Sequence, residues 1–132
     1  MADDELIRFV TSNRHPPYGH RTGVFQIAYK LSRQNDLAEP DCSELQSILA
    51  WFSTHLSKPE RFSRSRYPRA KNTAISWIRS SAIEHTLKLR QLVKLVESAG
   101  IEIEELRTTR PGYLVYEDRH QVVALPFTDT PR

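Results

Sequence analysis

The chain has 132 residues, 39% of them apolar and 27% charged, with a formal net charge of +3. One compact domain is the expectation at this size. No run approaches the ~18 apolar residues of a membrane span, and the acidic start (Asp3, Asp4, Glu5) does not read as a secretory signal or transit peptide. The single cysteine, Cys42, excludes an internal disulfide framework and any multi-cysteine zinc site, and a cytoplasmic location is the simplest expectation.

Charge is unevenly spread. Residues 58–79 hold seven Lys/Arg (Lys58, Arg61, Arg64, Arg66, Arg69, Lys71, Arg79) against Glu60 alone, a net +6. Residues 1–57 and 101–132 each carry −2, and residues 80–100 carry +1. Outside this one basic segment the chain is thus mildly acidic, and such clustering sets the field a partner feels.

In chain order, residues 4–12 suggest a short helix with an apolar side of Leu6, Ile7, Phe9 and Val10. Residues 13–23, with Pro16, Pro17, Gly19 and Gly23, read as a loop. Val24, Ile27, Ala28 and Leu31 then recur at helical spacing over residues 24–34. A connector at 35–40 leads to a second helix, with Asp41 or Ser43 as its cap and Leu45, Ile48, Leu49, Phe52 and Leu56 as its apolar face; Pro59 is expected to end it. Residues 57–72 lack apolar periodicity and read as an extended basic loop, long for a small domain.

Residues 73–78 (TAISWI) form a β-type run. Ser81-Ala82-Ile83-Glu84 fits a capping box. The helix it opens has Ala82, Leu89, Leu92, Val93 and Val96 on one face, Leu87 and Leu95 beside it, and Gly100 where a left-handed cap is wanted. Residues 101–107 alternate, with a bulge expected at Glu104-Glu105. Pro111-Gly112 signals a turn, and 113–116 and 121–125 are β-rich runs joined by Glu117-Asp118-Arg119-His120 as a hairpin. The tail at 128–132 is expected to be loose. The result is a single α+β domain: two or three N-terminal helices (1–57), a basic loop (58–72), and a small mixed sheet built as strand–helix–strand–strand–strand (73–127). The last β-run offers a free edge through which the chain could form a homo-oligomer.

The stretches AISWI…AIEH and RPGYLVYEDRHQVVALPF, with WFSTHLSKPERF, resemble a family of small uncharacterised bacterial proteins. The resemblance covers roughly residues 45–127 and implies a bacterial source and a shared fold. It carries no known activity. Similar sequences are expected to have an aromatic residue where Ile78 stands.

Three groups of residues invite a functional reading. In the basic segment, Arg61, Arg64, Arg66, Arg69 and Lys71 interleave with Phe62 and Tyr67. Arginines bridge phosphates and aromatic rings stack on unpaired bases, so nucleic acid is the leading partner class. An acidic protein surface is the alternative, as for an inhibitor, immunity-type or accessory protein. The blander reading is a solvated loop whose arginines pair with Glu102, Glu104 and Glu105. Second, Arg79, Ser80 and Ser81 sit at a strand-to-helix turn that suits an anion, or that simply caps the helix. Third, His85, His120 and Asp118, with Glu84 and Glu117 nearby, could do acid–base chemistry in a small enzyme; the competing reading is a capped helix, a half-buried histidine and a polar turn. His15, His20 and His55 lack metal-ligand spacing, so neither a metal nor a cofactor is expected. No membrane partner is expected. A binding module rather than an enzyme is the reading the sequence favours.

Overall fold

The computed structural model describes residues 5–12, 21–34, 37–57 and 74–132. Its elements run β1 (Leu6–Thr11), α1 (Val24–Gln34), α2 (Asp41–His55), β2 (Ile75–Arg79), α3 (Ile83–Ser98), β3 (Ile103–Thr108), β4 (Tyr113–Glu117) and β5 (Gln121–Leu125). The α+β class stands. The strands form one five-stranded sheet in the order β3-β1-β2-β5-β4. Every neighbouring pair is antiparallel, so the sheet is not mixed.

The main departure from expectation is β1. Residues 6–10 form a strand, not a helix, and all five are buried. An interior strand buried on both faces needs apolar residues at successive positions, which a short window cannot distinguish from one side of a helix. Its insertion between β2 and β3 also splits the expected strand–helix–strand unit. β2 and β3 are connected by α3 but each pairs with β1 rather than with the other.

The two helices of the first half match the periodicity. α1 buries Val24, Ile27, Ala28 and Leu31, and α2 buries Cys42, Leu45, Ile48, Leu49 and Phe52. Neither Asp41 nor Ser43 caps α2. Pro40 holds that position without a side-chain bond, and Ser43 Oγ donates instead to Glu39 at 2.5 Å. The helix stops at His55, ahead of Pro59, where Leu56 turns extended. α3 buries His85, Leu89, Leu92, Val93, Leu95 and Val96, and leaves Ile83 and Leu87 exposed.

The three helices touch one another, and α1 and α3 pack on one sheet face. Ile7, Phe9 and Ile78 from that face join them in the main core. Leu6, Ile75, Trp77 and Val122 form a second apolar cluster with Leu106 and Leu114. Strand alternation sets this cluster on the other face. Among the described residues no helix is long and apolar enough to cross a membrane.

Further differences are local. The register of β1 with β3 is unbroken from Leu6↔Thr108 to Thr11↔Ile103, so Glu104-Glu105 holds no bulge; the irregularity lies in β4, between Leu114 and Tyr116. The last β-run, β5, is interior. The sheet edges are β3 and β4. Gly100 has φ +87°, as its capping role requires. Gly112 has φ +129°, and a Cβ there would stand 1.9 Å from the Leu125 carbonyl oxygen. The tail is tied down rather than loose. Thr130 is buried, its hydroxyl accepts from Phe127 N at 2.9 Å, and Arg132 O accepts from Arg21 Nε at 2.6 Å.

Candidate functional site

The structure gathers the predicted acid–base residues at one corner, where the β4–β5 turn meets the end of α2 and the start of α3. The turn is organised by Asp118. Its Oδ1 accepts from the backbone N–H groups of His120 (2.8 Å) and Gln121 (3.0 Å), the pattern that makes aspartate a turn former. Its Oδ2 accepts from the Tyr116 hydroxyl (2.9 Å) and Gln121 Nε2 (3.1 Å). Burial pushes the Asp118 carboxyl up, but these hydrogen bonds outweigh it and hold the group below its ordinary value. The Tyr116 hydroxyl is pushed up, first by its bond to Asp118.

Arg79 closes the turn from β2. Its Nε donates to Asp118 O at 2.9 Å and a terminal nitrogen meets Glu117 at 3.0 Å. The guanidinium is therefore drawn to the hairpin. Beside it the backbone N–H groups of the turn are taken up within the chain. Ser80 N donates to Glu5 O, Ala82 N to Arg79 O and Ile83 N to Ser81 O. The chain makes a tight turn there, and α3 starts at Ile83 with Ala82 in the cap position and no side-chain cap bond. The expected capping box from Ser81 to Glu84 does not form.

His85 and His120 do meet. Their rings stack at 4.1 Å, 23° from parallel. His85 is buried, and its Nε2 donates to His55 O at 2.7 Å; the accepting carbonyl fixes that nitrogen as the protonated one. The His85 ring stands edge-on to Trp51 at 4.9 Å, and Trp51 lies flat on His55 at 4.3 Å. Lys88 Nζ lies 5.8 Å from the Trp51 ring centre. His120 Nδ1 is buried without a hydrogen-bond partner. Burial, then the neighbouring His85, lowers the His120 pKa, so its neutral form is favoured.

Chemically, this corner is a brace. His85 Nε2 is spent on a backbone carbonyl. The Asp118 carboxylate is occupied by four donors. Sequence reasoning found His85, His120 and Asp118 but missed Trp51, His55, Tyr116 and Gln121. The available signal was Trp51 and His55, four apart on one helix, a spacing that sets two rings together.

The corner also roots the basic segment. Ser57 is the last described residue before it, and Ser57 O accepts from Gln121 Nε2 at 2.5 Å. Arg61, Arg64, Arg66, Tyr67, Arg69 and Lys71 lie outside the described residues, as do His15 and His20. Two of the three carboxylates expected to neutralise them have other arginine partners: Glu104 pairs with Arg21, and Glu105 with Arg90 and Arg107. Among the described residues no group of three or more His, Cys, Asp or Glu is placed to hold a metal ion.

Of the stretches that carry the sequence resemblance, AISWI overlaps β2, AIEH opens α3, RPGYLVYEDRHQVVALPF contains the β4–β5 hairpin, and WFSTHLSKPERF starts in α2 and runs outside the described residues. No protein-family model, curated protein or solved structure matches the chain.

Proposed function

We propose that the protein is a nucleic-acid-binding module whose binding surface is the basic segment 58–79, held at its root by the Asp118 corner. The observation that carries this reading is the net +6 within that segment, in a chain otherwise near neutral or acidic. Phosphates are neutralised by such clusters, and Phe62 and Tyr67 add ring faces for unpaired bases. Two structural facts support it. Glu104 and Glu105 already pair with arginines of the described fold. His85 and Asp118 are committed to internal hydrogen bonds, which favours binding over acid–base catalysis.

The test is fluorescence anisotropy with labelled single-stranded RNA and DNA of random sequence at several salt concentrations. Binding should weaken steeply as salt rises. Changing Arg64, Arg66 and Arg69 together to Ala should leave folding intact. It should flatten the slope of log K against log salt by about 2, at ~0.7 for each phosphate that is no longer neutralised. Unchanged binding by this variant would sink the reading. Absence of binding at low salt, with a protein partner captured after nuclease treatment, would transfer the segment to an acidic protein surface.

A further inference from the structure

Independently of the basic segment, we infer that Arg8, with Trp77 and Ser12, forms a buried site for a small oxyanion, phosphoryl or carboxylate, on the sheet face opposite the helices. Arg8 interrupts an otherwise apolar run in β1 and is only 9% exposed. One terminal nitrogen donates to Arg21 O at 2.7 Å; the other, Nη1, is buried with no partner. Among the described residues no carboxylate pairs with this guanidinium. Its charged neighbour is Arg21, itself engaged with Glu104. Burial and then Arg21 hold the Arg8 pKa down to about 10, so it still carries its charge at neutral pH.

A buried, uncompensated cation is costly, and a buried donor left unpaired adds to that cost. Here the orphaned donors share one face. The β1–β2 register runs Leu6↔Arg79, Ile7↔Ile78, and one further step sets Arg8 across from Trp77. Trp77 is fully buried and its Nε1–H also lacks a partner. Beyond Ile7, β1 meets a different neighbour: Thr11 N donates to Thr22 O and Val10 bridges Gly23. Continuing that register sets Ser12 opposite Arg21, whose carbonyl holds Arg8. Ser12 Oγ is buried and unpartnered as well. The face at the fork where β1 exchanges one neighbour for the other therefore carries an unpaired guanidinium N–H, an indole N–H level with Arg8 and a hydroxyl four residues further along the chain. One positive charge with neutral donors around it is complementary to an oxyanion.

The test uses the full chain and inorganic phosphate, with acetate as the carboxylate arm and chloride matched for ionic strength. Phosphate or acetate should raise the melting temperature, and the stronger of the two identifies the ligand class. In a Trp51→Phe background, where Trp77 is the sole tryptophan, the same anion should shift the emission of Trp77. Trp77→Phe and Ser12→Ala each remove one donor and should weaken binding about tenfold, the low end for a hydrogen bond to a charged group. Arg8→Met should abolish the response. Should that variant fail to fold, the other two still decide the matter. Arg64, Arg66 and Arg69 changed to Ala should leave the response intact, separating this site from the basic segment. No response to either anion, or equal responses in all variants, would overturn the assignment.

Discussion

Asp118→Ala is the sharpest probe of the corner. The substitution removes an acceptor that serves four donors at 2.8–3.1 Å: two backbone N–H groups, an amide and a phenol. Hydrogen bonds to a charged group contribute about 1.5–3 kcal/mol each when measured singly. These four share one carboxylate and are only part-buried, and water can replace some of them, so the sum is far from additive. A loss of about 2–4 kcal/mol is expected, large beside the ~5–15 kcal/mol that holds a domain together. The pH dependence gives a second handle. The folded-state pKa of Asp118 lies below its ordinary value. Its stabilisation is therefore fully present above the unfolded pKa, near 3.8, and is lost as pH falls through the folded value. Urea unfolding of wild type and variant at pH 7 and at successively lower pH should show a gap that narrows only below about pH 4. A gap under about 0.5 kcal/mol at pH 7, the size of an ordinary surface change, would refute the view of Asp118 as organiser.

Two other perturbations follow from the geometry. Gly100→Ala meets open space and should cost only the left-handed backbone penalty, about 1–2 kcal/mol, whereas Gly112→Ala must also displace the Leu125 carbonyl and should cost about 3 kcal/mol or more; equal melting temperatures for the two variants would contradict this. The depressed pKa of His120 means that the folded state resists its protonation, so stability is lost as pH falls below the unfolded value of about 6.5 towards the lower folded value. His120→Asn should flatten the decline in urea midpoint between about pH 7 and pH 5; parallel profiles would count against the assignment.

How far the sequence revealed this fold depended on how local each signal was. α2 and α3 announced themselves through apolar spacing, Gly100 through the cap it makes, and the hairpin through its polar turn between β-rich runs. β1 was misread because a strand buried on both faces has no alternation to display. The Ser81 capping box failed because the chain turns tightly from Arg79 to Ile83, so that α3 starts at Ile83 with Ala82, not Ser81, in the cap position. Which residues meet across the fold was not legible at all. Nothing near His85 points to His120, and the stack exists because a turn and a helix start arrive at the same corner. Nor was Arg8 legible: beside the apolar side of a helix a charge is ordinary, and only a strand buried on both faces leaves it no outward position.

The place of β1 bears on how the chain comes to fold. Leu6 lies beside Arg79 on one side and Thr108 on the other, so the strand nearest the beginning of this chain waits for partners from its second half. Such long-range pairing raises contact order and slows folding, and it leaves an apolar strand with two unsatisfied edges while synthesis continues. The helical first part and the strand-rich second part are then not separable pieces. A cut within the basic segment should yield two fragments that reach a native sheet only by finding each other, with residues 6–11 threading the gap between β2 and β3.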